Sequence, residues 1–278
     1  MSAAVFSIIL FAALLHATWN AIVKQGSDTF LTAVLIALSA AAVSLVALPF
    51  LAQPAPASWP FLLISMVLQT AYYFLVAATY RAADMSQAYP LMRGSAPLIV
   101  AAVSGLWLRE PLSATAWAGI AILSLGIIGM AFASRRAGDF RGVILALLNA
   151  VVIAGYTLSD GWGVRLSGSP AAYTMWLCVL TAIPLSAWVL AKHARAFYRY
   201  LPGNLHLGLI GGVGTLSSYG LALWAMTLAP VAVVAALRET SILFATTIAV
   251  VVLKERVSAA RLIAVAVIAI GAGILRLA

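Results

Sequence analysis

The chain has 278 residues, of which 64% are hydrophobic and 8% charged, and its mean hydropathy is +1.09. No soluble domain of this length has a core large enough to hide that much apolar surface, so the composition points to an integral membrane protein. The net charge of +9 does not indicate a nucleic-acid partner, because the basic residues fall one to three at a time at helix ends instead of forming a patch.

A bilayer span needs roughly 20 apolar residues. The sequence predicts ten such runs, at residues 4–23, 30–51, 59–79, 86–108, 114–133, 143–162, 171–192, 205–227, 229–253 and 259–277, joined by short loops. The expected fold is therefore an all-α polytopic membrane protein with almost nothing left for a soluble domain. The first run has no basic leading region and no small-residue cleavage site, and it carries polar residues in its middle. It reads as a retained helix rather than a signal peptide. The single cysteine, Cys178, lies inside an apolar run and says little about compartment.

Residues 89–113, YPLMRGSAPLIVAAVSGLWLREPLS, recur 145 positions later as residues 234–258, VAALRETSILFATTIAVVVLKERVS. The offset lays Arg93 on Arg238, Arg109 on Lys254, Glu110 on Glu255 and Ser113 on Ser258, and further on Gly126 on Gly271. The chain thus divides into a first five-helix repeat at 4–133, a polar linker at 134–142 with its hinge at 134–139, and a second repeat at 143–277. An odd number of helices per repeat inverts the second half relative to the first, about a pseudo-two-fold axis in the membrane plane.

Eleven Lys and Arg residues fall in or beside the odd-numbered loops: Lys24, Arg81, Arg135, Arg136, Arg141, Lys192, Arg195, Arg199, Lys254, Arg256 and Arg261. Arg109, Arg165 and Arg276 fall on the opposite side. By the positive-inside rule the odd loops are cytoplasmic and both termini face out. Pro90 and Pro97 flank Arg93 in the fourth run, which predicts a kinked or loosened helix with freed carbonyls there.

Four ionisable residues lie deep in the predicted spans: Arg93, Asp160, Arg238 and Glu239. Each costs several kcal/mol at the bilayer centre and so needs a reason. They sum to zero charge, which allows a purely structural role in pairing with one another. The alternative is a site. Arg93 and Arg238 each lie about nine residues into their helices, ~13 Å deep at ~1.5 Å per residue, and the pseudo-two-fold carries both to one central region. Guanidinium offers a fork of donors matched to a carboxylate or phosphate.

Other polar and aromatic residues join them. His16, Trp19 and Asn20 share a face of the first helix at i, i+3, i+4 spacing. The third contributes Gln69, Tyr72, Tyr73 and Tyr80, the sixth Asn149, Tyr156 and Asp160, and the eighth Thr215, Ser217, Ser218, Tyr219 and Trp224. The candidate substrate-binding set is His16, Trp19, Asn20, Tyr73, Arg93, Tyr156, Asp160, Ser218, Tyr219, Arg238 and Glu239, in a cavity lined by helices one, three, four, six, eight and nine. Trp19, Tyr73 and Tyr219 offer stacking walls, and His16, Asp160 or Glu239 a proton-coupling group. Glu110 and Glu255, beside Arg109 and Lys254, suit capping or gating. Gly126 with Gly129, and Gly271 with Gly273, suit close helix packing, either internal or at a homodimer face.

Enzymatic motifs are missing from the sequence. It contains no nucleophile elbow, no HExxH and no CxxC. Glycines 211, 212 and 214 lack both the GxGxxG spacing and the Gly-Lys-Ser/Thr of a phosphate loop. No cofactor or metal is expected, and without ATP-binding machinery any pumping would run on a gradient or on exchange.

Four features together carry a resemblance: the polar-aromatic first helix, HATWNAIVK; the LWLRE and VVLKE endings of helices four and nine; the Gly-rich helix closing each half; and the two-times-five organisation. On these the chain resembles the drug/metabolite transporter superfamily, EamA-type. The resemblance implies alternating access by helix pairs rocking about a central cavity, with export of amino acids or related small metabolites, in a bacterial cytoplasmic (inner) membrane. It leaves open an exchanger or flippase of phosphorylated substrates, such as nucleotide-sugars, sugar-phosphates or lipid-linked carriers, and a non-transporting membrane scaffold. The expected partners are a small-molecule substrate and membrane lipid.

Overall fold

The computed structural model describes residues 1–23, 26–132, 140–251, 254 and 258–278. They form α1 (Ala3–Val23), α2 (Thr29–Ala47), α3 (Trp59–Ala82), α4 (Met85–Ala102), α5 (Ala114–Phe132), α6 (Phe140–Ser167), α7 (Pro170–Met226), α8 (Val231–Arg238), α9 (Ser241–Val251) and α10 (Ala259–Leu277). No strand occurs among the described residues. Eight stretches of helix are long and apolar enough to cross a membrane. A bilayer interior satisfies no backbone polar group, and helices satisfy their own.

Side chains set several helix starts. Asp28 accepts from the Leu31 amide at 2.9 Å to cap α2, Ser113 accepts from Ala116 at 3.0 Å before α5, and Ser258 accepts from Arg261 at 3.3 Å before α10. Each is an N-cap oxygen satisfying an amide that the first turn leaves free. Ser113 and Ser258 are 145 positions apart. So are Arg109 and Lys254, the non-glycine residues with positive φ among those described, at 55° and 53°. The repeat seen in the sequence is thus also a repeat of local backbone geometry.

Three boundaries differ from the expectation. The loop predicted at 193–204 is largely helical: α7 consists of two helices that meet at a kink at His193, whose φ of −136° and ψ of 21° are not helical, and the second of them starts ahead of its expected beginning and carries Pro202. α4 is assigned as helix through both Pro90 and Pro97, whose ring nitrogens carry no proton to donate to the Ser86 and Arg93 carbonyls, and it gives way to a π-turn at Val103–Trp107. The second copy has a break that the sequence reading did not anticipate, between α8 and α9. There the Thr240 hydroxyl and amide both donate to the Leu237 carbonyl, at 2.6 and 3.0 Å, and tighten the chain into i→i+3 bonding. The linker expected at 134–142 contributes Phe140, Arg141 and Gly142 to α6; its hinge at 134–139 lies outside the described residues.

Between membrane helices association relies on close packing, and small residues permit it. A methyl at Gly212 would lie 2.7 Å from the Ala40 amide nitrogen, and one at Gly208 2.5 Å from Leu35, so α2 and α7 meet backbone to backbone. α5 and α10 meet through Gly126 against Ile268 and Gly271 against Leu123. Adding 145 to the first residue of one pair and subtracting it from the second gives the other pair, as in a self-complementary interface. Gly129 and Gly273 have nothing within 4 Å of an added methyl, so they take no part in this contact.

Candidate functional site

The deep charges converge, but not as one mutual cluster. Arg93 on α4 donates through Nε to Glu239 Oε2 at 2.8 Å, and both residues are buried. The tightened turn after α8 presents Glu239 to α4. Asp160, fully buried on α6, pairs with no cation among the described residues. It accepts from Gln69 Nε2 at 3.2 Å, from the Tyr173 hydroxyl at 3.2 Å and from the Tyr219 hydroxyl. Such a carboxylate is held by neutral donors, which is one way to make a buried charge tolerable.

Arg238 has a different environment. Its guanidinium carbon lies 4.7 Å from the centroid of the Tyr219 ring, a cation–π arrangement. Among the described residues no carboxylate lies within ion-pair distance of it. Two clefts adjoin it. One, too tight in this conformation to hold a water molecule, is lined by Ala12, Ala13, His16, Arg93, Ser218 and Arg238. The other, a cavity of about 10 Å³, is bounded by Arg93, Tyr156, Thr157, Arg238 and Glu239 together with apolar residues of α4, α6 and α8. Both arginines therefore border both clefts.

Of the predicted residues, His16, Arg93, Tyr156, Ser218, Arg238 and Glu239 line a cleft, and Tyr219 and Asp160 stand directly behind Arg238. The other three lie elsewhere. Asn20 is exposed and donates to the His16 carbonyl of its own helix at 2.7 Å. Tyr73 packs edge-on against Tyr72, ring centroids 5.7 Å apart. Trp19 sits edge-on to His16 at 5.3 Å, against α7. Helix α3, expected to line the cavity, reaches the site through Gln69, which donates to Asp160, and through Tyr72, edge-on to Tyr156 with ring centroids 6.0 Å apart. The sequence reading missed Tyr173 as a partner of Asp160, because a tyrosine near a helix start carries no signal of what it faces.

The expectation that Glu110 caps or gates has a concrete form. Both its carboxylate oxygens accept from the Val231 amide at 3.2 Å, at the start of α8. Arg165 donates to Glu110 at 2.7 Å and to the carbonyls of Met226 and Ala229 at 2.7 and 2.9 Å. An acid at a helix N-terminus and an arginine on freed carbonyls both suit the local dipoles. Glu255, its counterpart in the repeat, lies outside the described residues.

No group of three or more metal-ligating side chains occurs among the described residues. The polar groups are instead gathered around two small clefts in the middle of an apolar bundle. Comparison with known proteins agrees with this architecture: residues 4–132 and 140–277 match the EamA-like transporter family. The chain belongs to the EamA-like transporter family. It is an integral membrane transporter. One solved crystal structure resembles this EamA-like protein across 100% of the present chain and 99% of its own, at 20% sequence identity with a TM-score of 0.77. At that identity the likeness concerns the fold alone.

Proposed function

We propose that this EamA-like protein exports amino acids or closely related zwitterionic metabolites by alternating access through the central clefts. The observation that carries the reading is the guanidinium of Arg238, which faces cleft space with no carboxylate partner among the described residues. A cargo carboxylate completes its donor fork. Glu239, at the edge of the same cleft, takes the cargo ammonium while retaining Arg93. Because Arg93 is already neutralised by Glu239, a single free cation suits a carboxylate better than a phosphate dianion.

Ten crossings in two inverted halves underlie the mechanism. This count takes α7 twice, on either side of His193, joins α8 and α9 into one crossing, and adds α4 to the eight stretches that qualify by hydropathy. The exchanged contacts between α5 and α10, and the paired caps at Ser113 and Ser258, support a two-fold relation between the halves. Arg276 donates to the Met1 carbonyl at 3.0 Å, so both termini share one face, as an even number of crossings requires. The distribution of basic residues supports the outside for that face, and the proposed setting is a bacterial inner membrane.

The test is counterflow in liposomes holding the purified full-length protein, with labelled amino acids set against unlabelled amino acids and sugar phosphates. Saturable exchange with amino acids is expected, and Arg238→Gln lowers it about tenfold or more, the loss of a charge-assisted contact. Exchange with phosphates alone, or an unaffected Arg238→Gln variant that is correctly folded, overturns the reading.

A further inference from the structure

The helical contact between α1 and α7 leaves polar atoms without partners next to the cleft. The two helices run antiparallel there. His16 and Ser218 line the cleft with Arg238, the Trp19 ring covers Gly214, and Val23 reaches Gly211. Trp19 and Thr215 thus lie about one helical turn, ~5 Å, from the cleft. The indole Nε1 of Trp19 and the hydroxyl of Thr215 are both buried and neither has a hydrogen-bond partner. The ring itself is confined: a methyl at Gly214 would lie 2.5 Å from it, and the His16 ring packs edge-on to it with centroids 5.3 Å apart.

A buried donor left unmade is costly, and most such groups in folded proteins find a partner. Here a rigid indole N–H and a hydroxyl are held unpaired beside the position assigned to the cargo head group. We propose that Trp19 and Thr215 form a side-chain subsite that selects amino acids whose side chains carry a hydrogen-bond acceptor over aliphatic ones of similar length. The inference rests on the reading of Arg238 as the carboxylate ligand. An acceptor-bearing side chain satisfies the indole N–H and the hydroxyl together. An aliphatic one seals both away from water unpaired, and sites built to bond a polar group reject analogues lacking it for this reason. Trp19 thereby acts as a donor and not as a stacking wall.

Glutamine and methionine, of similar length, serve as probes in counterflow with the full-length protein in liposomes. For the unaltered protein, the inhibition constant of glutamine is expected to lie about tenfold below that of methionine. Thr215→Val, which keeps the shape of the side chain, and Trp19→Phe, which keeps an aromatic ring, bring the two constants to within about twofold by weakening glutamine more than methionine. Equal constants in the unaltered protein overturn the subsite and leave the carboxylate reading standing. An unchanged ratio in Thr215→Val, or an equal weakening of both ligands in both variants, also overturns it, since that is the mark of packing alone. If sugar phosphates exchange and no amino acid does, the cargo class itself fails and the subsite fails with it.

Discussion

One methyl group decides whether the Trp19 ring can stay where it is. A Cβ at Gly214 would lie 2.5 to 2.6 Å from three atoms of Trp19, two of them in the ring, and a rigid indole cannot yield as a flexible chain end does. Gly214→Ala is expected to cost about 1–3 kcal/mol by overpacking, read as a lower melting temperature in detergent, whereas Gly203→Ala, where nothing lies within 4 Å, changes it little on packing grounds. Equal melting temperatures for the two variants count against a fixed ring. At this scale the sequence marks which residues are out of place in a membrane better than how they pair. Four charges in apolar spans are conspicuous because each is expensive. Nothing in the sequence, however, couples Arg93 to Glu239, 146 positions away, or gives Asp160 to two tyrosines and a glutamine. Those choices depend on how helices are rotated about their axes, which a nearly uniform apolar background does not encode. Asn20 shows the same gap: its spacing from His16 places it on the polar face, yet it bonds its own backbone.

Elements were legible where their signal is length and hydropathy, and less so where backbone chemistry intervenes. The two prolines of α4 do not end the helix, while the second copy, without proline at the matching positions, breaks at Glu239 and Thr240, where a threonine competes for a helical carbonyl. The α5–α10 pair offers a controlled test of the glycine contact. A methyl at Gly271 would lie 2.7 Å from the Leu123 amide nitrogen, which is backbone and cannot rotate away, whereas Gly273, two residues on, has free space. Gly271→Ala is therefore expected to lower the melting temperature. Gly273→Ala is expected to leave it unchanged or raise it slightly, since alanine is the better helix former by about 1 kcal/mol. The reverse order would place the interface on the other face of α10 and restore Gly273 to a packing role.

Across the whole molecule the two family-matched segments are tied at many points, among them the glycine contacts of α2 with α7 and of α5 with α10, the Arg93–Glu239 pair in the middle, and Glu110 with Arg165 at one end. The end contact joins several elements at once. Glu110 follows the π-turn after α4 in the first segment. It holds the first amide of α8 and the guanidinium of α6, both in the second, and that guanidinium also holds two carbonyls of the connection from α7 to α8. Removing either side chain breaks the bond they share, while the Val231 amide is held by Glu110 alone and the Met226 and Ala229 carbonyls by Arg165 alone, so the two losses are only partly additive. Glu110→Gln and Arg165→Gln are each expected to destabilise the protein by about 1.5–3 kcal/mol, the range for hydrogen bonds to charged groups, and the double variant by less than the sum of the two. Measured as melting temperatures of the four proteins in one detergent, a coupling near zero would mean that the contact is a solvent-screened surface pair. A large coupling would make it a bond that any opening of that face must first break.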